Sequence, residues 1–246
     1  MRTTVVVTMA GEGARFRAAG YERPKFAITV RGRTLLDWSL GSLARFAAAG
    51  ARAVFVARAA DDPVGVIARA CACAGFANWT VVTLDAPTGG QATTVLAAEP
   101  ALADADDRLL VWNVDTLVRA EALDPAAFAG DGWLPCFPGA GDAWSFVRAD
   151  AEGRVLEVRE KRRISGDAAI GLYGFASFAA FREAHAATYP AGAHREAGEC
   201  CVAPLYNALV ARGADVRLTR LPAAAVVPLG TPADLAAFAA AGEAAA

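Results

Sequence analysis

The sequence predicts an α/β fold in which a mixed, mostly parallel central sheet is flanked by helices on both faces. Two observations support this prediction. Through the first half of the 246 residues, apolar strands alternate with amphipathic helices, an order typical of parallel sheets. In addition, every polar motif of this half directly follows a predicted strand, and ligands of such sheets bind at the carboxyl ends of the strands.

The individual elements follow from apolar runs and helix start signals. The first half has predicted strands at 4–9, 53–57, 79–84 and 108–112 and predicted helices at 35–49, 64–75 and 91–99. The second half has predicted strands at 132–137, 144–148, 155–159, 168–175 and 215–220 and predicted helices at 178–188, 202–211 and from 232 onward. Thr231 before Pro232 is a good helix start. Without an internal repeat or a linker, we predict one domain over residues 1–246.

Composition excludes several classes of protein. The formal net charge is −2, so nucleic acid is not an expected partner. No apolar run approaches the roughly 18 residues of a spanning helix, and the first residues do not form a signal peptide; we therefore expect no membrane partner and a cytoplasmic location. The five cysteines lack C-x-x-C spacing, which favours small buried residues over disulfides or a zinc site.

The most informative segment is the turn after the first strand. Two glycines after a β-branched strand let the backbone turn sharply and expose its N–H groups to a polyphosphate. A dinucleotide-binding motif would need a small residue where Phe16 stands, and the chain has no Gly-Lys-Ser/Thr of a Walker loop. The expected nucleotide contacts of this segment, including two cations, are Ala10, Gly11, Glu12, Gly13, Arg15 and Lys25.

This opening closely resembles that of the sugar-phosphate nucleotidyltransferases, whose pattern is a strand, G-x-G-x-R-[FL], P-K and a later G-[KR]-[PT]-[ML]-[LI] turn. Here the last turn is 32–36, and the segments 19–21 and 36–40 are most similar to capsule- and phosphonate-type cytidylyltransferases. The resemblance implies a Rossmann-like nucleotidyltransferase fold with a nucleotide-binding half, 1–120, and an acceptor-binding half, 121–246. Catalysis would use Mg²⁺.

Further motifs of the first half match this family. Asp115 follows a buried strand, where a carboxylate facing a phosphate turn suits a magnesium ligand; the alternative is a turn-capping aspartate. The resemblance also assigns Asp115 to the metal, and Asn113 would position Asp115 or a phosphate. Gly90 and Gln91 resemble the family's base-reading loop, in which an amide reads a base edge; the alternative is an ordinary helix-capping loop.

The second half resembles the family's acceptor motifs. By this resemblance, Lys161 would hold the acceptor's phosphate or phosphonate, and Glu160 would bind a hydroxyl or amine. Gly171 belongs to the same block. Glu199 either faces the acceptor or is a carboxylate stabilised at a helix N-terminus. Where many sugar-1-phosphate members have a second metal-binding aspartate, this chain has Pro228; Glu199, or substrate oxygens and water, would then complete the metal shell.

The resemblance implies transfer of a nucleoside monophosphate from a nucleoside triphosphate to a phosphorylated or phosphonate acceptor. Arg15 would stabilise the leaving pyrophosphate, and Lys25 the α-phosphate. CTP is favoured, with a GTP- or UTP-dependent sugar-1-phosphate enzyme as the alternative. Two other classes stay open: a nucleotide-sugar glycosyltransferase, although Asn113 stands where a D-x-D motif has its first aspartate, and a non-catalytic nucleotide-binding regulator. A homo-oligomer is also possible.

Overall fold

The structure, a computed structural model, describes residues 2–102, 107–190 and 198–243. Its strands are β1 (Thr3–Thr8), β2 (Thr29–Val30), β3 (Arg33–Thr34), β4 (Arg52–Arg58), β5 (Trp79–Leu84), β6 (Arg108–Asn113), β7 (Thr116–Val118), β8 (Gly132–Pro138), β9 (Ser145–Ala149), β10 (Val155–Glu160), β11 (Asp167–Ala169), β12 (Leu172–Phe175), β13 (Val216–Arg220) and β14 (Val226–Pro228). Its α-helices are α1 (Ala14–Ala18), α2 (Leu35–Gly41), α3 (Ala44–Ala48), α4 (Val64–Ala74), α5 (Gln91–Leu96), α6 (Phe178–Thr188), α7 (Leu205–Ala211) and α8 (Pro232–Glu243).

Ten strands form one continuous sheet in the order β10-β9-β11-β8-β12-β6-β1-β4-β5, with β13 paired to β8. The four strands β6, β1, β4 and β5 are parallel. Strand β12 enters antiparallel between β6 and β8, and the strands beyond it are mainly antiparallel. The predicted mixed sheet with a parallel core is therefore confirmed.

Both faces of this sheet are buried, as the apolar run in β1 requires. Val5 and Val7 pack in one apolar cluster with residues of α2 and α4, whereas Val6 packs on the other face with residues of α5, α6 and α7. Alternate residues of a strand point to opposite faces, so a strand covered on both sides reads as a continuous apolar run. Helices thus flank both faces of the sheet, as predicted.

The predicted helix 35–49 is interrupted, forming α2 and α3. Ser42 lies at the break and is fully buried; its hydroxyl oxygen accepts a hydrogen bond of 2.8 Å from the backbone N–H of Val118 in β7. The local sequence favours one helix, but this long-range bond fixes the break. The helix predicted over 202–211 also differs, since α7 begins only at Leu205.

The predicted strand 168–175 divides into β11 and β12. Gly171 lies between them with φ +85°, a left-handed conformation that glycine adopts without strain. Strand β11 pairs with β8 and β9, whereas β12 pairs with β6 and β8. The kink therefore lets the chain change neighbours within the sheet.

The sequence analysis did not predict two small pairs of strands. Each of these strands has only two or three residues, too few to show an alternation of apolar and polar side chains. Strands β2 and β3 form a hairpin. Strand β14 pairs antiparallel with β7, and Pro228 lies opposite Thr116. This second pair brings a distant part of the chain beside the residues that follow β6.

No disulfide joins any of the five cysteines, all of which lie within the described residues. Cys71, Cys136 and Cys200 are buried, as expected, and burial raises the pKa of the Cys71 thiol to about 12. The prediction is wrong for Cys73, which is exposed, and for Cys201, which is partly exposed. Within the described ranges, no helix has the length and apolar character needed to cross a membrane.

Candidate active site

A cleft of about 1170 Å³ opens at the carboxyl ends of β1 and β6 and extends along the second half of the sheet. It collects every site residue that the sequence predicts. These residues are Ala10, Gly11, Glu12, Gly13, Arg15, Lys25, Gly90, Gln91, Asn113, Asp115, Glu160, Lys161, Gly171 and Glu199. One site therefore contains motifs from both halves of the chain.

Phe16, the residue that excludes a dinucleotide-binding motif, anchors the turn after β1. Gly13 has φ +65° and precedes α1, and its carbonyl accepts backbone hydrogen bonds from Phe16 (2.9 Å) and Arg17 (3.1 Å). The Phe16 ring is buried in an apolar cluster beneath the turn. An aromatic side chain thus fixes the turn where other phosphate-binding turns use a small residue, and Arg15 is left exposed at the cleft.

Lys25 and Asp115 meet in the cleft. Lys25 Nζ lies 2.8 Å from Asp115 Oδ2, and the two side chains keep exposed fractions of 19% and 34%. Burial alone raises the pKa of Asp115, but the charge and hydrogen bond of Lys25 outweigh it, with a further contribution from the Arg15 charge. The pKa of Asp115 therefore lies below its usual value, and the carboxylate is ionised at neutral pH.

The surroundings of Asp115 fit a metal ion held mainly by substrate. A Cβ atom at Gly230 would lie 3.7 Å from Asp115 Oδ2, and the Leu229 N–H donates to the Asp115 carbonyl at 2.8 Å. The described residues contain no cluster of three or more His, Cys, Asp or Glu side chains suited to a metal. Mg²⁺ is commonly bound by one or two carboxylates together with substrate phosphates, so a single carboxylate is compatible with it.

Asp234 and Glu199 are further carboxylates of the cleft that contains Pro228. Asp234 lines the cleft, but its Oδ2 accepts hydrogen bonds from the N–H (2.9 Å) and hydroxyl (2.7 Å) of Thr231, as a helix-capping box. Glu199 is exposed at the cleft. The suggestion that Glu199 is a helix N-terminal carboxylate is wrong, because α7 begins only at Leu205.

A hydrogen-bonded network joins the ends of β1, β6 and α5. Gln91 Nε2 donates to the Thr8 hydroxyl at 3.2 Å and to Asn113 Oδ1. The backbone N–H of Asn113 donates to the Gly171 carbonyl at 3.2 Å. The sequence places Gln91 and Asn113 in the site, but it does not reveal that they contact each other.

Gly90 has a structural reason to be glycine. A Cβ atom there would lie 2.5 Å from the backbone nitrogen of Cys200, and φ is +132°. The Cys200 N–H donates to the Gly89 carbonyl (2.9 Å), and the Ala92 N–H donates to the Cys200 carbonyl (2.8 Å). The loop before α5 is therefore bound to the segment that carries Glu199, and a nucleobase contact of Gly90 stays a prediction.

The part of the cleft around Glu160, the predicted acceptor region, contains two polar residues that the sequence analysis missed. The Ser145 hydroxyl donates to Glu160 Oε2 and lies 3.4 Å from the Tyr173 hydroxyl. Burial raises the pKa of Tyr173 well above its usual value, and the Glu160 charge adds to this effect. Ser145 lies opposite Glu160 in the β9–β10 pairing, a register that only the folded sheet reveals.

Lys161 stands just after Glu160, where the backbone turns. Its φ is +50°, and its N–H donates to the Trp144 carbonyl at 3.0 Å. Lys161 Nζ lies 3.8 Å from Glu160 Oε1, and the lysine side chain is about half exposed. Phe137 and Trp144 form an edge-to-face pair beside these charges. The predicted acceptor region thus combines opposite charges with an aromatic wall.

A parallel sheet core, a glycine turn at its first strand, and two cations beside a lone carboxylate define a nucleotide-binding transferase. The chain belongs to the family of MobA-like NTP transferase domains, whose model matches residues 5–164. It is a nucleotidyltransferase, which transfers a nucleoside monophosphate from a nucleoside triphosphate to a phosphorylated acceptor. Members of the family typically use a divalent metal ion.

Solved structures agree with this assignment. A nucleoside-diphosphate-sugar pyrophosphorylase from Vibrio cholerae RC9 is 29% identical over 96% of this chain and 99% of its own, with a TM-score of 0.86. The inositol-1-phosphate CTP transferase from T. maritima is 17% identical over 94% of this chain and 90% of its own, with a TM-score of 0.73. A UDP-glucose pyrophosphorylase complexed with UDP-glucose is 14% identical over the full length of both chains, with a TM-score of 0.76.

The last two likenesses establish the fold alone. No curated protein sequence matches the chain significantly. The family match and the solved structures confirm the predicted resemblance to sugar-phosphate nucleotidyltransferases. The cytidylyltransferase branch stays a prediction.

Proposed function

We propose that this enzyme transfers CMP from CTP to a phosphorylated or phosphonate small molecule, with Mg²⁺ and release of pyrophosphate. The observation that carries the proposal is the distribution of charge along one cleft. Arg15, Lys25 and Asp115, in the segments that follow β1 and β6, line the same cleft as Glu160 and Lys161 at the end of β10. A volume of about 1170 Å³ exceeds that of most single-ligand pockets, which suits two substrates side by side.

The residues divide the work of an in-line displacement. An oxyanion of the acceptor attacks the α-phosphorus, and the bond from that phosphorus to the oxygen of the leaving pyrophosphate breaks. Arg15 stabilises the charge that develops on the pyrophosphate, and Lys25 neutralises the α-phosphate. The acceptor oxyanion is already ionised at neutral pH, so no general base is required, and positioning supplies most of the catalysis.

Asp115 is the proposed ligand of Mg²⁺, which when bound neutralises phosphate charge and orients the triphosphate. Because Lys25 already contacts this carboxylate, the lysine keeps Asp115 ionised and ready to bind a cation. The main-chain bond from Leu229 to Asp115 holds the carboxylate at the edge of the cleft. Substrate oxygens and water would complete the shell where Pro228 removes a second aspartate.

In the predicted acceptor region, Lys161 binds the phosphate or phosphonate of the acceptor as a point charge. Glu160 binds a hydroxyl or amine, oriented by its hydrogen bond from Ser145. Glu199 and Gly171 line the same region. We accordingly assign residues 1–120 to nucleotide binding and 121–246 to acceptor binding.

CTP is proposed because segments 19–21 and 36–40 resemble cytidylyltransferases. GTP or UTP with a sugar 1-phosphate is the alternative, and the similarity to the nucleoside-diphosphate-sugar pyrophosphorylase from Vibrio cholerae supports it. A non-catalytic regulator is the second alternative, which the loss of an aspartate at Pro228 favours. A nucleotide-sugar glycosyltransferase is disfavoured by Asn113 in place of an aspartate.

The test is thermal-shift binding of CTP, GTP, UTP, ATP and dTTP, each with Mg²⁺, to the wild type and to Asp115→Ala, followed by a pyrophosphate-release assay with phosphorylated acceptors. A ligand that binds the native state raises the Tm by mass action. Stabilisation by CTP alone, lost in Asp115→Ala, is the expected result. Stabilisation by GTP or UTP would overturn the choice of nucleotide. Binding without pyrophosphate release from any acceptor would support a regulator.

A further inference from the structure

We propose that Gln91 positions Asn113 instead of reading the nucleobase, so that Asn113 Nδ2 donates a hydrogen bond to a phosphoryl or hydroxyl oxygen of the substrate. The proposal rests on the function proposed above for the same cleft. It assigns Asn113 direct contact with substrate and makes Gln91 a positioning residue. Its support comes from five hydrogen bonds around Gln91 and Asn113 and from the glycine opposite Asn113.

The direction of the hydrogen bonds fixes the Gln91 amide. The Thr8 hydroxyl donates to the Trp112 carbonyl at 3.5 Å, so its oxygen is available as an acceptor, and Gln91 Nε2 lies 3.2 Å from it. The same nitrogen donates to Asn113 Oδ1. Both N–H groups of Gln91 are therefore used within the protein. Reading a base edge by paired donor and acceptor needs one of them free.

The same bonds orient Asn113. Its Oδ1 faces Gln91, its backbone N–H is bound to the Gly171 carbonyl (3.2 Å), and its carbonyl accepts from the Ser39 hydroxyl (2.9 Å). In the described part of the chain, no acceptor takes a hydrogen bond from Asn113 Nδ2. Asn113 is partly exposed and lines the cleft. The Nδ2 group of Asn113, with its N–H donors unused in the described residues, therefore belongs to a side chain that lines the cleft.

Gly171 keeps this donor in place. A Cβ atom at Gly171 would lie 2.7 Å from Asn113 Nδ2 and 3.0 Å from its Cγ, so any larger residue would displace the amide. Gly171 itself lines the cleft. A neutral donor in a cleft that also contains Asp115 and Glu160 can bind an electron-rich substrate oxygen, whereas a carboxylate in its place would repel a phosphate.

The first test needs no activity. The chain contains a single glutamine, so glutamine labelled with ¹⁵N in its side-chain amide gives one NH₂ signal. In the free wild-type protein we expect this signal to be protected from hydrogen exchange and to lose that protection in Asn113→Ala. Equal exchange rates in the two proteins would overturn the Gln91–Asn113 contact. The control is Asn78→Ala, because Asn78 is exposed and distant in sequence.

The second test separates positioning from base reading by steady-state kinetics of Gln91→Glu, Asn113→Asp and the double variant Gln91→Glu/Asn113→Ala. A carboxylate at position 91 cannot donate, so Asn113 would turn its Nδ2 toward that carboxylate and present oxygen to the substrate. In Gln91→Glu and Asn113→Asp we expect kcat/KM to fall at least about tenfold, because a hydrogen bond to a charged group is lost. The fall should be the same for every nucleotide that the enzyme accepts. The double variant should be no worse than Asn113→Ala.

A changed ratio of kcat/KM between nucleotides in Gln91→Glu, with Asn113 variants unaffected, would overturn the proposal and restore base reading. Asn78→Asp is the matched control for an amide-to-carboxylate change. Absence of pyrophosphate release by the wild type would contradict the proposed function, and the labelled glutamine would still decide the positioning contact. The two failures are therefore distinguishable.

Discussion

Lys25 Nζ and Asp115 Oδ2 lie 2.8 Å apart, so the cation assigned to the α-phosphate and the carboxylate assigned to the metal are directly paired. The charge and hydrogen bond of Lys25 account for the lowered pKa of Asp115 despite its burial. The salt bridge also holds both side chains at the edge of the cleft. A triphosphate carrying a cation would replace this salt bridge, because Lys25 would then pair with phosphate and Asp115 with the cation.

Removing either partner should abolish most activity. Because preorganised charges stabilise the transition state, we expect Asp115→Asn and Lys25→Met each to lower kcat by about 10²-fold or more in a pyrophosphate-release assay. Asp62→Asn is the control: Asp62 is exposed with φ +42°, a conformation that asparagine tolerates. Retention of more than half the activity in Asp115→Asn would contradict the assignment.

Asp37 should make stability depend on acid pH. Burial raises its pKa, but hydrogen bonds from Thr34 and the charge of Arg69 outweigh this and lower the pKa below its usual value. The stabilisation is therefore present above the unfolded-state pKa of about 3.9 and is lost as pH falls through the folded-state value. We expect the Tm of the wild type to fall more steeply below pH 4 than that of Asp37→Asn. Parallel curves would contradict this.

Gly90→Ala should destabilise the protein. The added Cβ would meet the Cys200 backbone at 2.5 Å at a φ that other residues rarely adopt, and strain of this kind costs about 1–3 kcal/mol. The matched control is Gly65→Ala within α4, which has nothing within 4 Å of its Cβ position and should stabilise by about 0.5–1 kcal/mol. Urea unfolding measures both changes, and equal stability of the two variants would disprove the close approach.

Asp234 should behave as a helix cap. We expect Asp234→Ala and Thr231→Ala each to lower the free energy of unfolding by about 1 kcal/mol, and the double variant to cost little more because both remove one capping box. Their kcat values should stay close to that of the wild type. Loss of activity in Asp234→Asn at unchanged Tm would instead identify Asp234 as a second metal ligand.

Lys161 should determine the affinity for the acceptor. Removing a charged hydrogen-bond donor should raise the KM for the acceptor by at least about tenfold and leave the KM for the nucleotide unchanged. Lys161→Asn is the suitable change, because its φ of +50° is one that asparagine adopts readily. Bisubstrate kinetics measures both constants, and an equal rise in both would place Lys161 outside the acceptor site.

The sequence predicts the parallel half of the fold well because each of its strands is a local apolar run. Trp79–Leu84, for example, has the predicted bounds. The elements that differ depend on contacts between distant residues. Ser42 ends a helix through its bond to Val118, and Gly171 divides a strand where the chain changes neighbours in the sheet.

The site shows the same division. The place of Arg15, Lys25 and Asp115 in the cleft was predictable because each belongs to a short motif in the segments that follow β1 and β6. The partnership of Gln91 with Asn113 and that of Ser145 with Glu160 depend on sheet register, which no local pattern encodes. The sequence predicts that Gly90 lies in the site. It does not reveal why this residue must be glycine, because the Cys200 backbone that leaves no room for a side chain lies more than a hundred positions away.

The pairing of β14 with β7 affects when the main-chain support of Asp115 can form during synthesis of the chain. A chain is made from its amino end and folds in that order, so the phosphate turn and Asp115 emerge long before Val226–Pro228. The hydrogen bond from Leu229 that holds the Asp115 carbonyl waits for this late segment, and contacts so distant in sequence form slowly. The main-chain hydrogen bond that supports Asp115 therefore forms only after Leu229 has been synthesised.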